Sequence, residues 1–199
     1  MSPPVILASA SPRRRELLAS LGISFVVVPA DIHESPLPTE SVQVYVRRLA
    51  SEKALAISQK IREAFVLGFD TEVELDGEIL GKPADPSHAM TMLRCLSARQ
   101  HRVCTGVCFA RNARILENFV VESHVTFKPL SDDLIRRYVA TGEPLDKAGA
   151  YGAQGGGRAF IEKIEGSLTN VIGLPLDEVA ALLQRHGLLR PSSASVVGG

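Results

Sequence analysis

A cluster of cationic residues near the start of the chain is the first candidate for a ligand-binding or catalytic site. Arg13, Arg14 and Arg15 follow Ser11-Pro12, a pair that predicts the N-cap and the first residue of a helix. A helix N-terminus carries partial positive charge, so each cation there is disfavoured by about 0.3–1 kcal/mol. Together with the hydroxyl of Ser9, the segment is typical of either a cradle for phosphate oxygens or a solvated basic turn.

Two further charged residues lie among apolar neighbours. Lys53 lies on the apolar stripe of a predicted helix, so its ammonium group either reaches past the core edge to solvent or points at an anion in a cleft. Asp70 follows the apolar run at 64–69, which predicts a buried strand that ends at Asp70. Ligands collect at such strand ends in open α/β sheets, whereas the structural alternative is a turn that Asp70 caps through Thr71.

A predicted hairpin adds a third cation. Asp76-Gly77 is a strong signal for a two-residue turn within 72–80. Strand pairing then brings Lys82 back towards Asp70 and Thr71, although the sequence separates them. The charges that meet there form either part of a ligand site or a surface ion pair worth at most about 1 kcal/mol.

The remaining candidates are polar residues in loops. Glu34 lies in an acidic loop, and Gln154 lies in the glycine-rich loop at 146–157, where glycines allow close approach of the backbone to a ligand. Cations around carboxylates suit a polyphosphate held with Mg²⁺ or Mn²⁺, because arginine and lysine bind the non-bridging oxygens while carboxylates bind the metal. The chain has no P-loop, no dinucleotide-binding glycine pattern after its first strand and no serine-hydrolase elbow.

Composition restricts the classes of function further. The 199 residues include 22 Lys and Arg residues and 22 Asp and Glu residues. The chain therefore has no excess positive charge of the kind that would attract nucleic acid or an acidic membrane. No apolar run approaches a membrane span and residues 1–10 do not resemble a signal peptide, so we expect a cytoplasmic protein. The 3 cysteines argue against a disulfide framework, and neither they nor the 5 histidines have zinc-ligand spacing.

Hydrophobic periodicity and turn residues predict the elements that position these side chains. The predicted strands cover 5–8, 23–28, 64–69, the hairpin 72–80, 101–110, 115–127, 159–164 and 168–172. The predicted helices cover 12–21, 39–63 with Thr39 as cap, 86–96, 131–140 and 175–186. The small and polar segment 191–199 is typical of a disordered tail.

Four motifs follow one another along the chain: LASASPRR at 7–14, GFDTEV at 68–73, LGKP at 80–83 and EPLDKAGAYGAQG at 143–155. Together with Glu34 and Lys53 they closely resemble the Maf family of nucleoside triphosphate pyrophosphatases, over residues 5 to about 185. The resemblance implies an α/β fold of the Maf/ITPase-like type, with a mixed central sheet, flanking helices and a nucleotide cleft between two lobes. Residues 1–190 are accordingly expected to form a single catalytic domain.

The same resemblance implies metal-dependent hydrolysis of a nucleoside triphosphate to the monophosphate and pyrophosphate, as housekeeping of the nucleotide pool. The loop with Tyr151, Gly152 and Gln154 resembles the branch that prefers dTTP and UTP, with CTP or modified pyrimidine nucleotides as further substrates. Phe69 stands where the family usually has alanine, which leaves the base preference open. The alternatives are a 7-methyl-GTP pyrophosphatase, a nucleotidyltransferase that uses a sugar phosphate, and a non-catalytic nucleotide-binding regulator linked to cell division.

The resemblance also assigns roles to individual residues. Asp70 is the expected catalytic acid or base, and Glu34 and Asp70 are the expected ligands of Mg²⁺ or Mn²⁺. The expected substrate-binding residues are Arg13, Thr71 and Gln154 for the base and Ser9, Arg14, Lys53 and Lys82 for the phosphates. The expected partners are the nucleotide and a second copy of the chain, with neither nucleic acid nor membrane.

Overall fold

A mixed sheet lies at the centre of the protein in the computed structural model, which describes residues 3–190. Its strands in that range are β1 (Val5–Leu7), β2 (Phe25–Val27), β3 (Phe65–Leu75), β4 (Glu78–Leu80), β5 (Gln100–Arg111), β6 (Arg114–Phe127) and β7 (Ile161–Glu165). The strand order is β2-β1-β3-β5-β6-β7, with β4 paired to β3. Strand β1 is parallel to β2 and β3, and the other pairs are antiparallel. The predicted α/β class is therefore confirmed, whereas the tail predicted at 191–199 lies outside the described residues.

Helices cover both faces of this sheet. They are α1 (Pro12–Ala19), α2 (Val42–Ser58), α3 (Pro86–Leu96), α4 (Asp132–Val139), α5 (Leu168–Ile172) and α6 (Leu176–Arg185). Helix α2 packs on one face through Ala50 and Ala54, and α1 and α6 pack on the other face through Leu18 and Leu182. Both faces of β1 and of the first half of β3 are apolar because each is buried under a helix. Within residues 3–190, every helix is too short or too polar to cross a membrane.

Strand β3 runs without interruption through Asp70, so the prediction that the strand ends there is wrong. Strand β5 pairs with nine successive residues of β3, and this ladder keeps the chain extended beyond the apolar run. On the other edge of β3, the paired residues of β1 reach only Leu67 and those of β4 begin only at Val73. The edge of β3 is therefore left without a partner strand at 68–72, and Asp70 lies at the middle of this gap.

Turn and cap signals place several element boundaries correctly. Asp76 and Gly77 have φ angles of 54° and 90°, as the predicted two-residue hairpin requires. The Ser11 hydroxyl accepts a hydrogen bond from the Arg14 N–H at 3.4 Å, which confirms the predicted start of α1. Helix α3 likewise begins at Pro86.

The helix predicted from Thr39 to about residue 63 is shorter at both ends. Thr39 has a φ of 64°, which is incompatible with the extended backbone of an N-cap. Ser41 takes that role instead, since its hydroxyl accepts from the Val44 N–H at 3.4 Å. Helix α2 ends at Ser58, because the chain turns there to enter β3.

The strand predicted at 168–172 is wrong, because this segment forms the short helix α5. The Ser167 hydroxyl accepts from the Asn170 N–H at 3.2 Å and caps the helix. The buried Asn170 amide nitrogen donates to Val103 O at 3.2 Å and to Ser123 Oγ at 3.0 Å. These contacts with distant strands offset the strand preference of the local β-branched residues.

Helix α2 lies unusually close to the sheet because two residues beneath it are glycines. A Cβ atom at Gly68 or Gly106 would lie 2.3 or 2.2 Å from a backbone carbonyl oxygen of α2. No side chain fits at that distance, so the helix backbone contacts the strand backbone. This close approach carries Lys53 of α2 to the carboxylate of Asp70.

Candidate active site

The gap in the edge of β3 opens into a cleft with a volume of about 380 Å³. Its walls come from the β1–α1 connection, α2, β3 and the segment after β4 on one side, and from the loop at 146–154 on the other. All of the predicted site residues line it: Ser9, Arg13, Arg14, Glu34, Lys53, Asp70, Thr71, Lys82 and Gln154. The structure thus brings together residues that are separated by up to 145 positions in the sequence, from Ser9 to Gln154.

A buried lysine lies between two carboxylates at the base of the cleft. Lys53 Nζ is 2.7 Å from Asp70 Oδ1 and 2.9 Å from Glu34 Oε1. Lys53 is 7% exposed and Asp70 only 4%, so this ion pair is poorly screened by solvent. Lys53 therefore points into the cleft at two carboxylates of the protein and does not reach past the core edge to solvent.

Asp70 has one carboxylate oxygen without a partner. Its Oδ1 accepts from Lys53, whereas Oδ2 is shielded from solvent and has no hydrogen-bond partner in the described protein. Burial raises the pKa of Asp70 above its ordinary value, and the charges of Lys53 and Arg14 oppose that shift. An unpaired buried oxygen with increased basicity is suited to bind a water proton or a cation.

Glu72 is a site residue that the sequence analysis missed. It lines the cleft, and its Oε2 is shielded from solvent without a hydrogen-bond partner. Burial, followed by the negative charge of Asp70, raises the pKa of Glu72 to about 8. Side chains two apart on a strand share a face, so extending the strand through Asp70 would have predicted Glu72 beside it.

Arg14 binds the protein itself rather than open solvent. Its guanidinium donates to Gly173 O at 2.9 Å, to Phe69 O at 3.0 Å, to Thr71 Oγ1 at 3.0 Å and to Ser9 Oγ at 3.3 Å. The Phe69 carbonyl belongs to the edge of β3 where no strand pairs. Arg14 therefore closes the open edge, fixes Ser9 and Thr71, and adds positive charge beside Asp70.

Arg13 lines the cleft near Asp146, which belongs to the loop wall at 146–154. Its NH1 is 3.9 Å from Asp146 Oδ2, a long and partly exposed contact that contributes little stability. Asp146 also accepts from Lys147 Nζ at 2.7 Å, and Lys147 lines the cleft as a further cation that the sequence analysis did not assign. Lys82 and Gln154 are exposed at the cleft, so both are accessible to a ligand.

A hydrogen-bonded chain holds the glycine-rich loop in place. The Gly152 N–H donates to Tyr138 Oη at 3.1 Å, and the Tyr138 hydroxyl donates to Glu143 Oε1 at 2.9 Å. The other oxygen of Glu143 accepts from the Gly156 N–H at 3.0 Å. Beneath the loop, the Tyr151 hydroxyl lies 2.8 Å from His101 Nε2. This loop wall is thus anchored to α4 and β5 rather than free.

The cleft as a whole presents five cationic side chains, Arg13, Arg14, Lys53, Lys82 and Lys147, around four carboxylates, Glu34, Asp70, Glu72 and Asp146. The cations suit the phosphates of a polyanion, and the unpaired carboxylate oxygens suit a divalent cation. Within residues 3–190, no group of three or more His, Cys, Asp or Glu side chains is arranged to hold a metal ion. A metal in this cleft would therefore take some of its ligands from the bound phosphates or from water.

Comparisons with known proteins show which family this chain resembles. The sequence profile described as Maf-like protein matches residues 4–186. The chain is 52% identical over 194 residues to the dTTP/UTP pyrophosphatase of Anaeromyxobacter dehalogenans (strain 2CP-C), which covers 96% of this chain and 98% of the relative. It is also 52% identical over 185 residues to the dTTP/UTP pyrophosphatase of Escherichia coli O157:H7, covering 92% and 93% of the two chains. The structure of a HAM1 protein from Coxiella burnetii has a similar fold, with a TM-score of 0.51, 18% identity and coverage of 92% of this chain and 99% of that one.

Proposed function

This chain belongs to the Maf-like protein family, and on that basis we propose that it hydrolyses nucleoside triphosphates, dTTP and UTP foremost, to the monophosphate and pyrophosphate. The observation that carries the proposal is the unpaired Oδ2 of the buried Asp70 within a cleft lined by cations. The similar curated relatives bear the name dTTP/UTP pyrophosphatase. Disposal of unwanted nucleotides is the corresponding role in the cell.

The proposed reaction is an in-line attack of water on the α-phosphorus. The water oxygen forms a bond to the α-phosphorus, the bond from that phosphorus to the bridging oxygen breaks, and pyrophosphate leaves. Asp70 accepts a proton of the attacking water through one lone pair of Oδ2, which leaves the other lone pair of that oxygen for a cation, while Lys53 holds the carboxylate in place through Oδ1. Burial raises the pKa of Asp70 above its ordinary value, so its carboxylate is a stronger base than that of a solvent-exposed aspartate.

Binding of the triphosphate is assigned to cations that line the cleft. Lys82 is exposed at the cleft mouth and Lys53 lies at its base, so both offset the charge that develops on the departing pyrophosphate. Arg14 contributes charge and keeps the Ser9 hydroxyl in position. Recognition of the nucleobase is assigned to Arg13, Thr71 and Gln154, which line the same cleft.

The proposed activity depends on Mg²⁺ or Mn²⁺. The donors fit such an ion, because the cleft holds hard carboxylate oxygens and the Oδ2 of Asp70 has no partner in the described protein. Glu34 and Asp70 are the ligands proposed from the sequence, each with one oxygen engaged by Lys53. The ion would neutralise phosphate charge and polarise the phosphorus–oxygen bonds.

Pyrophosphate release from dTTP, UTP, CTP and 7-methyl-GTP, measured with Mg²⁺ or Mn²⁺, tests the proposal. We expect turnover of dTTP and UTP above the other two, and an Asp70→Asn variant that binds nucleotide but releases pyrophosphate at least about 100-fold more slowly. Saturable binding without pyrophosphate release would identify a regulator instead of an enzyme. Turnover that requires an added sugar phosphate would identify a nucleotidyltransferase, and a preference for 7-methyl-GTP would reassign the substrate.

We propose in addition that one catalytic domain, residues 1–190, carries this activity, since residues between Ala8 and Gly173 supply the walls of the cleft. The protein is proposed to act in the cytoplasm, where nucleoside triphosphates are made and used, as a homodimer that binds neither nucleic acid nor membrane. Light scattering of the purified full chain at several concentrations tests the dimer. A mass equal to one chain at every concentration would contradict it.

A further inference from the structure

We propose that Glu72 is a metal ligand, and that Asp70 and Glu72, rather than Asp70 and Glu34, hold the divalent cation that accompanies the triphosphate. The assignment rests on the proposed function, because the phosphates supply the remaining ligands. It adds to the site a carboxylate that neither the motifs nor the resemblance assigns.

Two carboxylates on one face of β3 each have an unpaired oxygen. Asp70 and Glu72 are two positions apart on a continuous strand, so their side chains project from the same face with Cα atoms about 7 Å apart. Asp70 Oδ2 and Glu72 Oε2 are both shielded from solvent, and neither has a hydrogen-bond partner in the described protein. Two unsatisfied buried carboxylate oxygens are costly unless a cation is bound between or beside them.

The next carboxylate on the same face of β3, that of Glu74, differs from Glu72 in its contacts. Glu74 is 5% exposed, and it is satisfied by an ion pair with Arg102 and by the N–H of Gly77. Glu72 lies two positions away and has no ion pair in the described chain. A structural carboxylate on this strand thus has protein partners, whereas Glu72 faces the cleft without one.

Lys53 restricts where a metal can bind. This lysine lies between Glu34 and Asp70 and contacts one oxygen of each, so the space shared by those two carboxylates already holds a positive charge. Asp70 Oδ2 and Glu72 Oε2 take part in no hydrogen bond within the described protein. Among the four carboxylates of the cleft, the buried oxygens without a partner are therefore those of Asp70 and Glu72.

The number of protein ligands also fits. Residues 3–190 contain no preformed group of three or more metal-binding side chains, and Mg²⁺ in nucleotide sites characteristically takes one or two carboxylates together with phosphate oxygens and water. A pair of carboxylates meets this requirement. Metal affinity should accordingly be weak in the free protein and higher when a nucleotide is present.

Binding of Mn²⁺ to the full chain tests the assignment without measuring turnover. Electron paramagnetic resonance of free Mn²⁺ is recorded during titration, with an α,β-imido analogue of dTTP that cannot be hydrolysed at the α-phosphorus. We expect Glu72→Gln to raise the dissociation constant of Mn²⁺ at least about tenfold. Glu78→Gln, which removes an exposed carboxylate from the neighbouring strand β4, should leave it unchanged.

A second variant keeps the test decisive if the glutamine variant does not fold. Glu72→Ile replaces a poorly solvated carboxyl group by a β-branched residue suited to a strand, and it should show the same loss of Mn²⁺ affinity. Wild-type affinity in either folded variant would overturn the assignment of Glu72. If the wild-type protein released no pyrophosphate, the proposed function would fail, while a dependence of Mn²⁺ binding on Glu72 would still identify the metal ligand.

Discussion

Replacement of Gly68 by alanine should lift helix α2 from the sheet and move Lys53 away from Asp70. The new Cβ would lie 2.3 Å from Ala50 O, 2.8 Å from Ala54 N and 2.9 Å from Ala54 Cβ. Two of these three neighbours are backbone atoms, so no side-chain rotation relieves the contact. Because carbon and oxygen normally approach to about 3.3 Å, the helix must move by about 1 Å.

This displacement has two measurable consequences. Overpacking of a core contact costs about 1–3 kcal/mol, which corresponds to a fall in melting temperature of about 2–4 °C per kcal/mol for a chain of this size. A 1 Å displacement also lengthens the 2.7 Å contact between Lys53 Nζ and Asp70 Oδ1 beyond hydrogen-bond range. Misplacement of a catalytic group by that distance can lower kcat/KM by about 100-fold.

Urea unfolding followed by circular dichroism, together with pyrophosphate release from dTTP, measures both effects. Gly22→Ala is the matched control, because Gly22 has a φ of 70° and no atom within 4 Å of the added Cβ. It should cost about 1–2 kcal/mol through backbone strain alone and leave kcat/KM unchanged while the protein is folded. Wild-type activity in the Gly68→Ala variant would show that the close approach of α2 does not position Lys53.

Three further predictions concern other parts of the molecule. Burial lowers the pKa of His101 to about 4, so below pH 6.5 the unfolded chain binds more protons than the folded protein does. The free energy of unfolding, relative to that of a His101→Gln variant, should therefore fall by about 3 kcal/mol between pH 7.5 and pH 4. Urea unfolding at each pH measures this difference. Tyr138→Phe removes the hydroxyl that accepts from the Gly152 N–H, and the unpaired N–H should cost about 1–3 kcal/mol in the same assay. Arg13→Ala should change the ratio of kcat/KM between dTTP, UTP and CTP more than it lowers turnover, and an equal loss for all three would contradict a role in base selection.

The site residues could be predicted from the sequence because their motifs are local. The Ser11-Pro12 start of α1 and the Asp76-Gly77 hairpin are specified by residues whose backbone preferences leave few alternatives. The hairpin in turn brings Lys82 to the cleft that Asp70 lines. These local signals, together with the family resemblance, indicated most of the charged residues of the cleft, but not Glu72 or Lys147.

Several local predictions were wrong where distant contacts outweigh local preference. The segment 168–172 has strand-forming residues, yet the buried Asn170 amide binds strands β5 and β6 and fixes a helix. Asp70 resembled the end of a strand because the apolar run stops there, and only pairing with β5 carries the strand through it. Glu72 was missed for the same reason. Only when β3 is known to continue through Asp70 does Glu72 fall on the same face of the sheet as Asp70.

The sequence by itself determined the residue types at the cleft, most element boundaries and the family resemblance, because capping, turn formation and side-chain periodicity act over a few residues. Only the tertiary structure decided how those charges pair. Arg14 reaches Gly173, 159 positions away, and Lys53 reaches Asp70 because two glycines let α2 approach the sheet. Such long-range packing decides whether a buried polar atom finds a hydrogen-bond partner. It leaves Asp70 Oδ2 and Glu72 Oε2 without partners in the described chain.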